Sequence, residues 1–270
     1  MNLVDIGANL THLSFADDLD DVISSALAVG VSHIILTGTD LESSQSAQRL
    51  SAQNPELFSS TAGFHPHVAA SFTEAELEKI SDIARTPQVV AVGETGLDYN
   101  RNFSPKKQQL LAFEQHLQLA VELQKPVFLH QRDAHDDFLR LLTKYRANLV
   151  GGVVHCFTDT EVALMEYLDL DMHIGITGWI CDERRGLELQ KLVDKVPADR
   201  LLLETDAPYL LPRTLQPKPK TRRNEPKYLL EILRCVAEHS GRSVESIATE
   251  TARNATELFK LPPGAAESAG

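Results

Sequence analysis

Three short apolar runs in this chain each stop on a side chain able to hold a cation. They are Val89-Val-Ala-Val-Gly-Glu94, Pro126-Val-Phe-Leu-His130 and Leu149-Val-Gly-Gly-Val-Val-His155. Each has the pattern of a short strand buried on both faces, as parallel sheets require. Helical apolar spacing at residues 105–124 and 134–145 separates them, so the unit is strand, helix, strand.

The same alternation runs through the whole sequence. Further strands are expected at residues 2–7, 32–37, 57–64, 172–177 and 200–206, and further helices at 17–29, 41–53, 73–84, 161–168, 186–193, 225–240 and 243–259. Gly30 is placed to end the first helix, and Thr73 with Glu76 has the capping-box spacing that starts the third. Eight strand-helix alternations predict an α/β protein, a closed (β/α)8 TIM barrel, in preference to a doubly wound open sheet. The 270 residues are enough for one such domain, assigned to 1–262, with a flexible tail at 263–270.

A net charge of −12 rules out a global positive field for holding nucleic acid and leaves only local patches. Three cysteines without CxxC spacing suit a reducing compartment. No apolar run approaches the ~18 residues of a membrane span, so a cytoplasmic protein without membrane contact is expected, as a monomer.

In a barrel of this type the C-terminal strand ends share one face. That face would gather Asp5, Asn9, His65, His67, Glu94, His130, His155, Glu204 and Asp206. Singly, such a histidine is more often a hydrogen-bonded structural residue, and Glu94 alone would serve as a cap or an ion-pair partner. Several on successive strand ends instead predict a divalent-cation site, with imidazole nitrogens and carboxylate oxygens converging from separate strands.

Six motifs, in order along nearly the whole chain, resemble those of the TatD family of metal-dependent deoxyribonucleases. They are Asp5-Ile-Gly-Ala-Asn9-Leu, Gly63-Phe-His65-Pro-His67, Gly93-Glu94-Thr-Gly-Leu-Asp98-Tyr, His130-Gln-Arg132-Asp133-Ala, His155-Cys-Phe157 and Glu204-Thr-Asp206-Ala-Pro-Tyr209-Leu. Gly178-Trp-Ile-Cys-Asp-Glu-Arg-Arg185-Gly and Arg222-Arg-Asn-Glu-Pro extend the match. The resemblance implies Glu94, His130 and His155 as metal ligands and Asp206 as a further ligand, a water-activating base, or both. It implies Mg2+, with Mn2+ or Zn2+ also compatible. Many members carry a His-x-His pair after the first strand, where this chain has Gly7 and Asn9. One tight cation with a weaker second is therefore expected.

The activity implied is 3′→5′ exonucleolytic hydrolysis of DNA, single strands preferred, and of RNA, by a metal-activated water, in the context of DNA repair. The substrate is a strand with a free 3′ end. Asp206 or Glu94 would deprotonate the water, and His65 and Arg132 would bind the charge developing on phosphorus. Asp98 is expected to orient its neighbours, while His67 fits a turn locked by Pro66. Trp179 offers a stacking platform. The basic stretch from Arg213 to Lys227, with Arg222 and Arg223, would grip the backbone. The competing readings are an amidohydrolase or esterase of a small substrate on the same barrel, and a metal-stabilised scaffold without activity.

Overall fold

The computed structural model describes residues 1–262, and the tail at 263–270 lies outside the described residues. The apolar runs become eight strands: β1 (Leu3–Ala8), β2 (Val31–Leu36), β3 (Phe58–Ala62), β4 (Val89–Asp98), β5 (Val127–Arg132), β6 (Gly152–Val154), β7 (His173–Ile176) and β8 (Leu201–Leu203). They pair in sequence order, all in parallel. The ring returns on itself just past β8, where Ala8 bridges Ala207 and the Asp206 amide donates to the Gly7 carbonyl at 2.8 Å.

Helices α1 (Leu19–Ala28), α2 (Leu41–Gln53), α3 (Glu74–Ala84), α4 (Lys106–Leu123), α5 (His135–Arg146), α6 (Glu161–Asp169), α7 (Leu187–Leu192) and α8 (Leu229–Ser240) alternate with the strands. A ninth, α9 (Val244–Phe259), follows them. Most of the apolar core lies between strands and helices, among residues such as Leu36, Phe113, Phe138 and Leu233. A second cluster joins Val4, Ile6, Ile35, Phe128, Val153 and Leu202 of the strands to Ala252, Ala255 and Phe259 of α9, which packs against β1 and β8.

Local chemistry explains several boundaries. Asp40 and Ser43 form a complete capping box at the start of α2. At α3 the Thr73 hydroxyl accepts from the Glu76 amide and donates to the Glu76 carboxylate at 2.7 Å, so the acid returns to the hydroxyl. The expected end of the fourth strand at Glu94 is corrected: β4 runs on to Asp98, leaving Glu94 in mid-strand. Gly93 makes this possible. Its φ is +141°, and a Cβ there would lie 2.2 Å from the Phe128 carbonyl oxygen. The register against β5 slips there and resumes with Gly96 beside His130 and Asp98 beside Arg132. Strand β8 itself ends at Leu203, three residues sooner than the apolar run suggests, and a 3-10 turn at Pro226–Tyr228 precedes α8.

Candidate active site

One carboxylate oxygen organises the open end of the barrel. Glu94 Oε1 lies 2.7 Å from His155 Nε2 and 3.2 Å from both His65 Nε2 and His130 Nδ1. These groups arrive from four places: the segment after β3, the middle of β4, β5, and the residue after β6. Burial opposes a charge on Glu94, but His155 and His65 outweigh it and hold the carboxyl well below its usual range. His65 itself is pushed down to about 4 by burial, against the pull of Glu94, so its ring is neutral at pH 7. The other nitrogen of His65 works locally, because Nδ1 accepts from the His67 amide at 3.0 Å and caps the 3-10 helix Pro66–Ser71.

His155 is held from both sides. Glu204 Oε2 meets its Nδ1 at 3.3 Å, while Glu204 Oε1 accepts from the Cys156 amide at 2.6 Å. Burial disfavours the imidazolium, yet the carboxylates of Glu94 and Glu204 lift His155 well above the ordinary histidine range. Glu204 is fully buried, and two glycines make room for it. A Cβ on Gly7 would lie 2.7 Å from its Oε2, and one on Gly175 would lie 2.6 Å from its Oε1.

A second carboxylate stands beside the first. Asp98 Oδ2 lies 2.7 Å from His67 Nε2 and 3.4 Å from His130 Nε2, so the His130 ring links Glu94 to Asp98. Burial works against ionisation of Asp98, but hydrogen bonds from His130 and His67 dominate and lower its pKa. The same two acids raise His130 against the effect of its burial. Asp206 lines the cleft above this group and is pushed up to about 8, chiefly by burial, with His155 opposing and Glu94 and Glu204 assisting. Asp5 is not part of the cleft. Fully buried, it accepts from the Thr205 amide at 2.9 Å and hydroxyl at 2.5 Å, and so joins β1 to the segment after β8.

The cleft above these groups encloses about 660 Å³. Besides the histidines and acids it is lined by Asn9, Arg132 and Trp179, and also by Arg101, Phe103 and Tyr209. Arg132 lies over the Trp179 ring at 5.7 Å and is in no ion pair among the described residues. The basic stretch behaves differently from expectation. Arg223 bonds Asp18 at 2.6 and 2.8 Å and Glu225 at 3.0 Å, Arg213 bonds Glu183, and Lys227 pairs with Glu225 at 2.6 Å. Neither Arg222 nor Arg223 lines the cleft. Of the six cations in this stretch, Arg213 and Arg223 pair with the distant acids Glu183 and Asp18, and Lys227 pairs with nearby Glu225.

Comparison with known proteins gives this geometry a family. The model of the TatD-related DNases matches residues 4–260. The chain belongs to the TatD family. It is 52% identical over 259 residues to a protein of Klebsiella pneumoniae (strain 342) named 3′-5′ ssDNA/RNA exonuclease TatD, covering 96% of this chain and 98% of that one. A protein of the same name from Erwinia billingiae is 50% identical, with 96% and 100% covered. Among solved structures, YJJV, a TATD homolog from Escherichia coli K12, superposes with a TM-score of 0.87 at 27% identity, over 96% of this chain and 98% of that one. An uncharacterized amidohydrolase from Saccharomyces cerevisiae shares the fold, with a TM-score of 0.84 at 22% identity and coverage of 96% and 100%.

The TatD chain's own donors fit a divalent cation. Ligand atoms of His65, Glu94 and His130 lie within 4.8 Å of one another, the spacing for a shared ion ~2.0–2.2 Å from each. His65, expected as a phosphate donor, thus stands among the potential ligands, with its Nε2 3.2 Å from Glu94 Oε1. His155 touches the same oxygen, and Asp206 shares the cleft. Sequence reasoning gave Glu204 no role and passed over Arg101. For Glu204 the signal was available, since glycines at positions 7 and 175 leave a niche, but only the folded barrel shows that they face one carboxylate. For Arg101 it was the short turn after β4, where its amide donates to Asp98 Oδ1 at 2.8 Å.

Proposed function

We propose that this TatD-family protein is a metal-dependent 3′→5′ exonuclease that trims single-stranded DNA and RNA, a chemistry useful for clearing damaged 3′ ends in repair. The observation that carries the reading is one carboxylate oxygen shared by three imidazoles at the floor of a cleft whose rim carries arginines and aromatic rings. The activity for which the relatives are named agrees with it. An open rim of this kind suits an unpaired strand, whose bases can stack on aromatic side chains.

His65, Glu94 and His130 would hold the cation, with His155 and Asp206 beside them. Such a cation supplies Lewis-acid polarisation of the phosphate and an acidified water. The motifs imply Mg2+; three imidazoles around one carboxylate, rather than two, move the preference toward Mn2+ or Zn2+. Asp206, which lines the same cleft, is placed to take a proton from the attacking water. Arg132, on the rim, is placed to bind charge that develops on the phosphate oxygens. Asp98 fixes the His67 and His130 rings. Glu204 holds His155 in the orientation that presents Nε2 to Glu94.

We take the chain to act as a monomeric single domain in the cytoplasm. No helix among the described residues is long and apolar enough to cross a membrane. The test is digestion of 3′-labelled and 5′-labelled single strands with Mg2+, Mn2+, Zn2+ or chelator, together with metal analysis of the purified protein. The expected result is stepwise loss from the 3′ end that chelator abolishes. Glu94→Ala is expected to retain the parent's circular dichroism and lose turnover. If that variant digests strands like the parent, the site assignment fails.

A further inference from the structure

A second cavity, of about 330 Å³, opens beside the catalytic cleft. It lies at the low end of the ~300–1,000 Å³ typical of small-molecule sites. Gln131, Asp133, Asp159 and Arg185 line it, and Arg132 and Trp179 border both spaces. The two guanidinium groups flank one indole: Arg132 and Arg185 each lie 5.7 Å from the Trp179 ring centre. Neither is in an ion pair among the described residues, although the chain carries a net charge of −12.

The lining separates into two chemistries. Asp159 accepts from the Gln131 amide and from the Thr160 backbone, and Asp133 accepts from Asn100 at 2.7 Å. Both acids are therefore fixed as acceptors, and a phosphate lodged among them would be repelled. The two arginines are shared with the rim of the catalytic cleft or stand beside Trp179. An occupant that suits both parts has a flat ring with amino donors, joined to an anionic group that stays at the rim.

We propose that this cavity binds the base and sugar of the second nucleotide from the 3′ end, with Arg132 and Arg185 holding the phosphates on either side of it. The inference rests on the exonuclease reading and deepens it. The terminal nucleotide occupies the larger cleft, the bond to be cut lies over Glu94, and the preceding nucleotide steps across Trp179 into the neighbouring space. A duplex cannot enter, because its penultimate base is engaged with the opposite strand.

The test uses the full chain and two single strands of equal length, one intact and one with an abasic residue second from the 3′ end. The parent enzyme is expected to remove the terminal nucleotide of the abasic strand with kcat/KM lowered about tenfold, the weight of one lost base contact. An abasic residue at the fifth position serves as the control and is expected to change nothing. Arg185→Ala, at an exposed position, is expected to lower kcat/KM on both strands by a similar factor, because both keep the phosphate that Arg185 holds. A parent that digests no strand defeats the exonuclease reading, and this inference with it. A parent that trims both strands equally, or an Arg185→Ala variant that trims the intact strand as fast as the parent, overturns the inference alone.

Discussion

Glu204 shows how a side chain outside the metal-competent group can govern it. It fixes the His155 ring through Nδ1 and is itself held by the Cys156 amide. Glu204→Gln keeps the shape and removes the charge. Loss of such a supporting partner typically costs ~10–100-fold in metal affinity or activity. The expected outcome is a fall of that size in both kcat and metal affinity by titration, with the melting temperature nearly unchanged. A variant that melts early but binds metal normally would make Glu204 merely structural. Glu94, His130 and His155 were legible as potential ligands because they recur at the ends of successive apolar runs, although each alone has an ordinary structural explanation. His65 was harder to read. Its position in a His-Pro-His turn has a sufficient local explanation, and the structure shows that the turn and the approach to Glu94 coexist on different nitrogens.

At the level of elements, order and type were plain from periodicity, and ends were not. The fourth strand reads as finishing at Glu94 because the apolar residues stop there, but backbone pairing with β5 continues through Gly96, Leu97 and Asp98. Side-chain hydrophobicity does not report on that pairing. The seam between β1 and the segment after β8 depends on Asp5, whose carboxyl is pushed from 3.8 up to about 7, mainly by burial. A folded-state pKa above the unfolded value means the contribution is fully present below pH ~4 and lost as pH rises through about 7. At ~1.4 kcal/mol per unit, the effect is at most about 4 kcal/mol. Asp5→Asn is therefore expected to flatten the decline in thermal stability between pH 4 and 7, as measured by differential scanning calorimetry. An unchanged slope would show that the seam acid is not what titrates.

Over the whole molecule, an excess of 12 negative charges must coexist with a polyanionic substrate. The sequence suggested that the stretch from Arg213 to Lys227 would solve this problem. Asp18 and Glu183 are remote along the chain, and only the fold brings them close enough to pair with Arg223 and Arg213; neither Arg222 nor Arg223 lines the cleft. What remains at the mouth is a handful of arginines, namely Arg101, Arg132 and Arg185. Three phosphate contacts at ~0.7 each give a slope of about −2 for the logarithm of single-strand affinity against the logarithm of salt. Fluorescence anisotropy of Glu94→Ala in chelator should show this shallow dependence. A slope near −5 would mean that the loop after β8 binds the strand after all.

The niche between Gly7 and Gly175 also constrains any attempt to redesign this enzyme. Retrofitting a histidine at position 7 would drive its first carbon to within 2.7 Å of the Glu204 carboxylate already lodged there. The newcomer and Glu204 are rivals for one volume, so an engineer must evict the old tenant first and then find another way to steady His155.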